Sequence, residues 1–266
     1  MIKKIYKNIF PYKFRNFINI FKSVLFKSKK VFLVNNDSYN EDGLATNHIT
    51  DFMRDKKFIS NYHEAAKGTN HRIFYRAYIL NYFSEYALRL FENENGCFIE
   101  LGTHKGLMAK VILLNSDFSK ENTKFFLFDT FTGIPLKNLN DKEIDHIKLM
   151  NESVYKEDVY EFVKDKFSNY SFVKIIKGML PDTLKKSDIN LNNIKFLHID
   201  LNNKYAEIES IKILYEKLLK GAPVVLDDYC YSEQYRSQKD GWDHFAKSKG
   251  FKILSLPTGQ GLFFKI

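Results

Sequence analysis

Cysteine is nearly absent: the 266-residue chain contains Cys97 and Cys230 and no others. Two thiols exclude a disulfide framework, and neither has CxxC or metal-finger spacing. The pair fits a reducing, cytoplasmic compartment. No apolar run approaches the ~20 residues that would span a bilayer. The N-terminus has no uninterrupted apolar core and no small-residue cleavage site, so a signal peptide is not expected. Internal repeats and low-complexity tracts are missing as well.

Acid is absent from residues 1–30, which carry nine Lys and Arg side chains. The whole chain has a net charge of +9, so everything after residue 30 sums to zero. A neutral body argues against wrapping a polyanion, and no nucleic-acid partner is expected. Within the basic segment, Phe14, Phe17, Ile18, Phe21, Val24 and Leu25 recur at intervals of three and four, the stripe of an amphipathic helix. Such a helix fits peripheral contact with an anionic membrane at the inner face. It fits equally well a helix packed on the body, a contact in a homo-oligomer, or a lid. Residues 35–45 are rich in Asn and Asp and read as loop. Residues 70–92 read as a long helix. The expected division is a basic N-terminal extension and lid over 1–69 and a catalytic domain over 70–266.

From residue 97 onward, short apolar runs alternate with helical patterns. The runs are Cys97–Leu101, Phe125–Phe128, Phe172–Ile176, Ile194–Ile199 and Val224–Leu226. They suit parallel strands buried on both faces. Helical spacing lies near 105–115, 154–167, 204–219 and 238–248. This alternation predicts an α/β fold with an open, doubly wound parallel sheet and right-handed crossovers. The end differs, because only five residues separate Phe251–Ser255 from Gly261–Lys265. A gap that short permits a hairpin but no parallel crossover, so an antiparallel C-terminal hairpin is expected.

Chemistry concentrates at the carboxyl ends of these runs, where open α/β sheets bind ligands. The first run ends in FIELGTHKG. Gly102 and Gly106 let the backbone turn tightly and approach a ligand, and the helix behind them presents free N–H groups. The pattern is E-x-G-T-x-x-G, not the dinucleotide GxGxxG. Glu100 suits a cofactor carrying an ammonium, such as the methionine part of S-adenosylmethionine. Asp129 ends the second run in LFDTFTGIP, where a carboxylate can accept from both ribose hydroxyls of NAD or S-adenosylmethionine alike. Asp200 ends IKFLHID, and Asp227 and Asp228 end VVLDDY. Parallel neighbours bring these three acids to one rim, where their repulsion calls for a cation or for protonation. Oxygen-only ligands favour Mg²⁺, with Ca²⁺ or Mn²⁺ as alternatives. His104, Lys105, Tyr229, Tyr231, Gln234 and Gln260 are candidates for the acceptor side. Trp242, the only tryptophan, reads as core.

Taken in order, FIELGTHKG, LFDTFTGIP, IIKGMLPDTL, FLHIDLNNKYAEIESI, GAPVVLDDYCYSEQ and LPTGQGLFFK resemble the macrocin O-methyltransferase family, from about residue 70 to the C-terminus. The resemblance implies a Rossmann-like class I methyltransferase fold: a seven-stranded, mostly parallel sheet with an antiparallel C-terminal hairpin and an N-terminal helical extension. It implies methyl transfer from S-adenosylmethionine to a hydroxyl of a sugar or sugar-linked metabolite, assisted by Mg²⁺. By position, Asp200, Asp227 and Asp228 would hold the metal, with Asp200 also the base. Glu100, Gly102, Thr103, Gly106, Asp129 and Gly178 would line the cofactor. Family members often carry D-x-D at the first metal aspartate, whereas this chain has Asp200, Leu201, Asn202. An aromatic hydroxyl as acceptor, a nucleotide-dependent oxidoreductase and a non-catalytic membrane-docked module remain as rivals.

Overall fold

The computed structural model describes residues 39–118, 123–139, 141–186 and 189–266, with the side chains of residues 141 and 142 excepted. The amphipathic stretch 13–28 and the basic tail lie outside the described residues. The chain forms two compact units, Met1–Asp51 and Phe52–Ile266. Residues 52–69 belong to the unit that carries the sheet.

In the first unit, β1 (Tyr39–Glu41) and β2 (Leu44–Thr46) form an antiparallel hairpin with Glu41 opposite Leu44. Asp42 and Gly43 make the turn at φ of 53° and 75°. Two left-handed residues in sequence match the twist of paired strands, and Asp-Gly adopts this conformation readily. The reading of 35–45 as loop missed this signal.

The second unit opens with α1 (Lys56–Ala65). Asp55 caps it by accepting hydrogen bonds from the Lys57 and Phe58 amides at 2.9 and 3.0 Å. Next comes α2 (Phe74–Leu90), the long helix expected over 70–92. Strands and helices then alternate: β3 (Gly96–Leu101), α3 (Leu107–Asn115), β4 (Thr123–Asp129), α4 (Asp141–Ser153), α5 (Tyr160–Lys166), β5 (Val173–Lys177), β6 (Ile194–Ile199), α6 (Lys204–Leu214), β7 (Pro223–Leu226), α7 (Arg236–Lys249), β8 (Leu254–Ser255) and β9 (Gly261–Phe264). Helix α4 was not expected. Among its residues whose burial is described, only Ile147 is buried, so the sequence carries no apolar stripe wide enough to read.

The strand order is β5-β4-β3-β6-β7-β9-β8. Pairings are parallel from β5 to β7 and antiparallel at β7–β9 and β8–β9. This is the sheet the sequence predicts, including its final hairpin. Every residue of β6 and β7 is buried, as strands between two helical layers should be, even though β6 carries Lys195 and His198. Phe98 anchors the core, its ring 5.3, 5.9 and 5.2 Å from those of Phe118, Phe125 and Phe196. Strand order reverses between β3 and β6. Doubly wound sheets open a ligand crevice at such a reversal, outside the carboxyl ends of the strands. Among the described residues, no helix is long and apolar enough to cross a membrane.

Candidate active site

The crevice is a cleft with about 850 Å³ of open space, counting its solvent mouth. Gly102, Asp129, Gly178 and Asp200 line it together. Gly102 follows β3 at φ 92°, and a Cβ there would lie 1.7 Å from the Asp200 carbonyl oxygen. Only glycine lets the ends of β3 and β6 approach this closely. Gly106 starts α3 at φ 70°, where a Cβ would strike the Phe167 ring at 2.5 Å. Gly106 thus shapes the loop but does not line the cleft.

Asp129 ends β4 with its carboxylate turned onto the loop after β3. Oδ2 accepts the His104 amide at 2.7 Å, and Oδ1 accepts the Phe131 amide at 2.6 Å. Burial raises its pKa, and these amides oppose the rise. The Thr130 hydroxyl also donates to Oδ1, at 3.3 Å, so of the roughly four acceptor positions of a carboxylate these three bonds leave about one open. His104 also lines the cleft. Burial holds its imidazole neutral, with a pKa of about 4. Its Nε2 has no partner, and its ring stands edge-on to Tyr155, 4.7 Å between centroids. Tyr155 lines the cleft too, and the sequence reading did not single it out.

Besides Gly106, two expected cofactor residues sit outside the cleft lining. Glu100 is 1% exposed, and its Oε1 pairs with His198 Nδ1 at 3.0 Å across the β3–β6 register, leaving Oε2 without a partner. Thr103 is buried with its hydroxyl unpaired.

The three aspartates do converge. Asp200, Asp227 and Asp228 each offer an oxygen, and these atoms lie within 4.8 Å of one another. They differ in their surroundings. Burial, then the charges of Asp227 and Asp228, push Asp200 well above the ordinary carboxylate range. Burial acts on Asp227 as well, but Arg76 and His198 outweigh it and hold that carboxyl far below. Arg76, near the start of α2, donates from Nη1 to Asp227 Oδ2 and to Asp228 Oδ1 at 3.1 Å. Gln260 Nε2 donates to Asp227 Oδ1 at 3.0 Å, and His198 Nε2 lies 3.7 Å from the same oxygen. Burial opposes protonation of His198, but Asp227 and Glu100 raise its pKa to about 10. A chain of ionisable groups therefore crosses three strands from Glu100 through His198 to Asp227.

Sequence reasoning missed Arg76 and His198. A signal existed for Arg76, the only cation in the first four turns of a largely aromatic and aliphatic helix. A buried arginine needs an acidic partner. Gln260, expected near the acceptor, braces Asp227 instead. The other acceptor candidates are not in the cleft lining. The Tyr229 hydroxyl donates to Asp243 on α7. Tyr231 covers Arg76, with the guanidinium carbon 4.2 Å from its ring centroid. Gln234 is exposed in a short 3-10 turn, Glu233–Tyr235. Trp242 is fully buried, and its Nε1 donates to Glu207 at 2.7 Å.

A doubly wound sheet with a terminal antiparallel hairpin, a glycine loop after its first long strand and an acid after its second define a class I S-adenosylmethionine-dependent methyltransferase. The fold is similar to that of the O-methyltransferase NovP, with a TM-score of 0.59 at 19% identity over 71% of this chain and 79% of that one. It is also similar to CalS11, a calicheamicin methyltransferase, with a TM-score of 0.53 at 13% identity over 87% of this chain and 98% of that one. The family model for macrocin-O-methyltransferase (TylF) matches residues 81–253, and the chain belongs to that family. It is an S-adenosylmethionine-dependent O-methyltransferase, which sets the oxidoreductase rival aside. No curated protein sequence matches the chain.

Proposed function

We propose that the protein methylates a hydroxyl of a sugar or sugar-linked metabolite, with Asp200 as base and a divalent ion, Mg²⁺ by donor preference, held by Asp200, Asp227 and Asp228. The observation that carries this reading is one cleft bordered by both Asp129 and Asp200. The first is a carboxylate at the end of β4 beside the glycine loop, which suits a ribose hydroxyl, and the second is a carboxyl with an affinity for protons. The sugar acceptor is supported by the family, whose description names macrocin.

The donor sets fit the absent groups. Gly102 and Gly178 bring bare backbone to the cleft wall, and Asp129 is fixed in place by the loop amides it accepts. Three carboxylate oxygens within 4.8 Å suit a hard cation. Such a cation, held by these carboxylates, would lower the pKa of a nearby hydroxyl and keep Asp200 ionised. Asp200 then takes the acceptor's proton as the hydroxyl oxygen attacks the sulfonium methyl and the C–S bond breaks. Phe131, Tyr155, Leu180 and Tyr205 contribute apolar wall. Charge is neutralised in that step, so a cleft that excludes water favours it. His104, whose Nε2 has no hydrogen-bond partner among the described residues, is the candidate to hydrogen-bond the acceptor.

The test is methyl transfer from labelled S-adenosylmethionine to nucleotide-linked sugars and to catechols, in EDTA or in Mg²⁺. Turnover of sugars that needs Mg²⁺ is expected, and Asp200→Asn should lower kcat by about 10²-fold or more. Undiminished turnover after verified metal removal refutes the metal role. Turnover of catechols alone refutes the sugar acceptor.

A further inference from the structure

We propose that Arg76 is a resident counter-cation of the Asp227–Asp228 pair, whose hold a divalent ion has to break, so that this side chain sets the metal affinity of the site. The inference rests on the metal reading above. Arg76 is 6% exposed and sits near the start of α2, ahead of every strand of the main sheet. One nitrogen, Nη1, serves Asp227 Oδ2 and Asp228 Oδ1 together. Tyr231 covers the guanidinium face, which shields the pair from water.

Asp227 thus has both oxygens committed to protein donors, Oδ2 to Arg76 and Oδ1 to Gln260. An ion bridging the three aspartates would lie within a few ångströms of the guanidinium. Like charges that close repel strongly where water is excluded. Asp200 is different, since among the described residues its side chain accepts from the Asn202 amide alone, at 3.4 Å. Two of the three candidate ligands are therefore already neutralised by protein, and the third is not. In the metal-free protein, Arg76 suppresses the repulsion between neighbouring carboxylates that an ion would otherwise suppress.

The test uses Mn²⁺ as the probe, with free Mn²⁺ followed by electron paramagnetic resonance in titrations of the full chain, Arg76→Gln and Arg76→Lys. Arg76→Gln should bind Mn²⁺ at least tenfold more tightly than the wild type, while Arg76→Lys, which keeps the charge, should stay within a few-fold of it. Thermal unfolding gives a second readout: Mn²⁺ should raise the Tm of Arg76→Gln more than that of the wild type. If Arg76→Gln does not fold in EDTA, recovery of structure on adding Mn²⁺, and not on adding KCl at equal ionic strength, supports the inference, and no recovery overturns it. Equal or weaker Mn²⁺ binding by Arg76→Gln overturns the inference and leaves the metal reading standing. Absence of binding by all three proteins overturns both.

Discussion

Replacing Glu207 with Gln should flatten a fall in stability that the wild type shows between about pH 4.5 and pH 7. Glu207 lies on α6, 6% exposed, and accepts from Trp242 Nε1 at 2.7 Å and Gln238 Nε2 at 3.3 Å. Burial is the largest influence and raises its pKa from 4.5 to about 7, against the two hydrogen bonds. In that interval the unfolded chain has released the proton and the folded chain retains it. The folded state binds more protons, so stability is full below pH 4.5 and is lost as pH rises through about 7. At 1.36 kcal/mol per pH unit, the interval corresponds to about 3 kcal/mol. For a domain of this size that is on the order of 10 °C in Tm. His104 works in the opposite direction over part of the same range, because burial keeps it neutral down to about 4. The diagnostic is therefore the difference between wild type and Glu207→Gln, measured by urea unfolding at half-unit steps of pH. Gln offers one acceptor oxygen to two donors, so a constant offset is expected, and the slope carries the information. The wild type should lose about 3 kcal/mol relative to the variant from pH 4.5 to 7.5. A flat difference curve would show that Glu207 is ionised in the folded protein and refute the reasoning.

Other outcomes follow from the cleft. Gly102→Ala should abolish binding of S-adenosylhomocysteine in calorimetry and lower the Tm, since its Cβ would lie 1.7 Å from the Asp200 carbonyl oxygen. Wild-type affinity in that variant would mean the ends of β3 and β6 can part without cost. Asp129→Ala should weaken S-adenosylhomocysteine by about ten- to a hundredfold, the worth of a charge-assisted hydrogen bond. Asp129→Asn, which can still accept from one amide, should weaken it less, and equal losses would place the carboxylate's role in folding the loop.

The main sheet was legible because β3, β4, β6 and β7 are mostly apolar runs, each with an acid at or next to its end: Glu100, Asp129, Asp200 and Asp227. The antiparallel ending followed from loop length alone. Helix α4 was not legible, since a mostly solvated helix leaves no apolar period. The convergence of Asp200, Asp227 and Asp228 could be anticipated from strand order. Their separate charge states could not, because Arg76 and His198 reach Asp227 from elements 151 and 29 residues away in sequence. The directions of Tyr229, Tyr231 and Gln234 were not legible for a related reason: they share a loop with Asp227 and Asp228, but their side chains face Asp243 on α7, Arg76 and solvent. Proximity in sequence placed the backbone and said nothing about direction.

Asp227 lies within the family segment, 81–253, but both of its hydrogen-bonding partners from outside the sheet's parallel part, Arg76 and Gln260, lie beyond that segment's ends. The three acids can thus be transplanted without the arginine and glutamine that partner Asp227. A chimera that grafts residues 81–253 of this chain between another member's flanks would inherit the carboxylates and import a foreign counter-ion, or none. Metal demand in such hybrids should travel with the flanks and not with the aspartates.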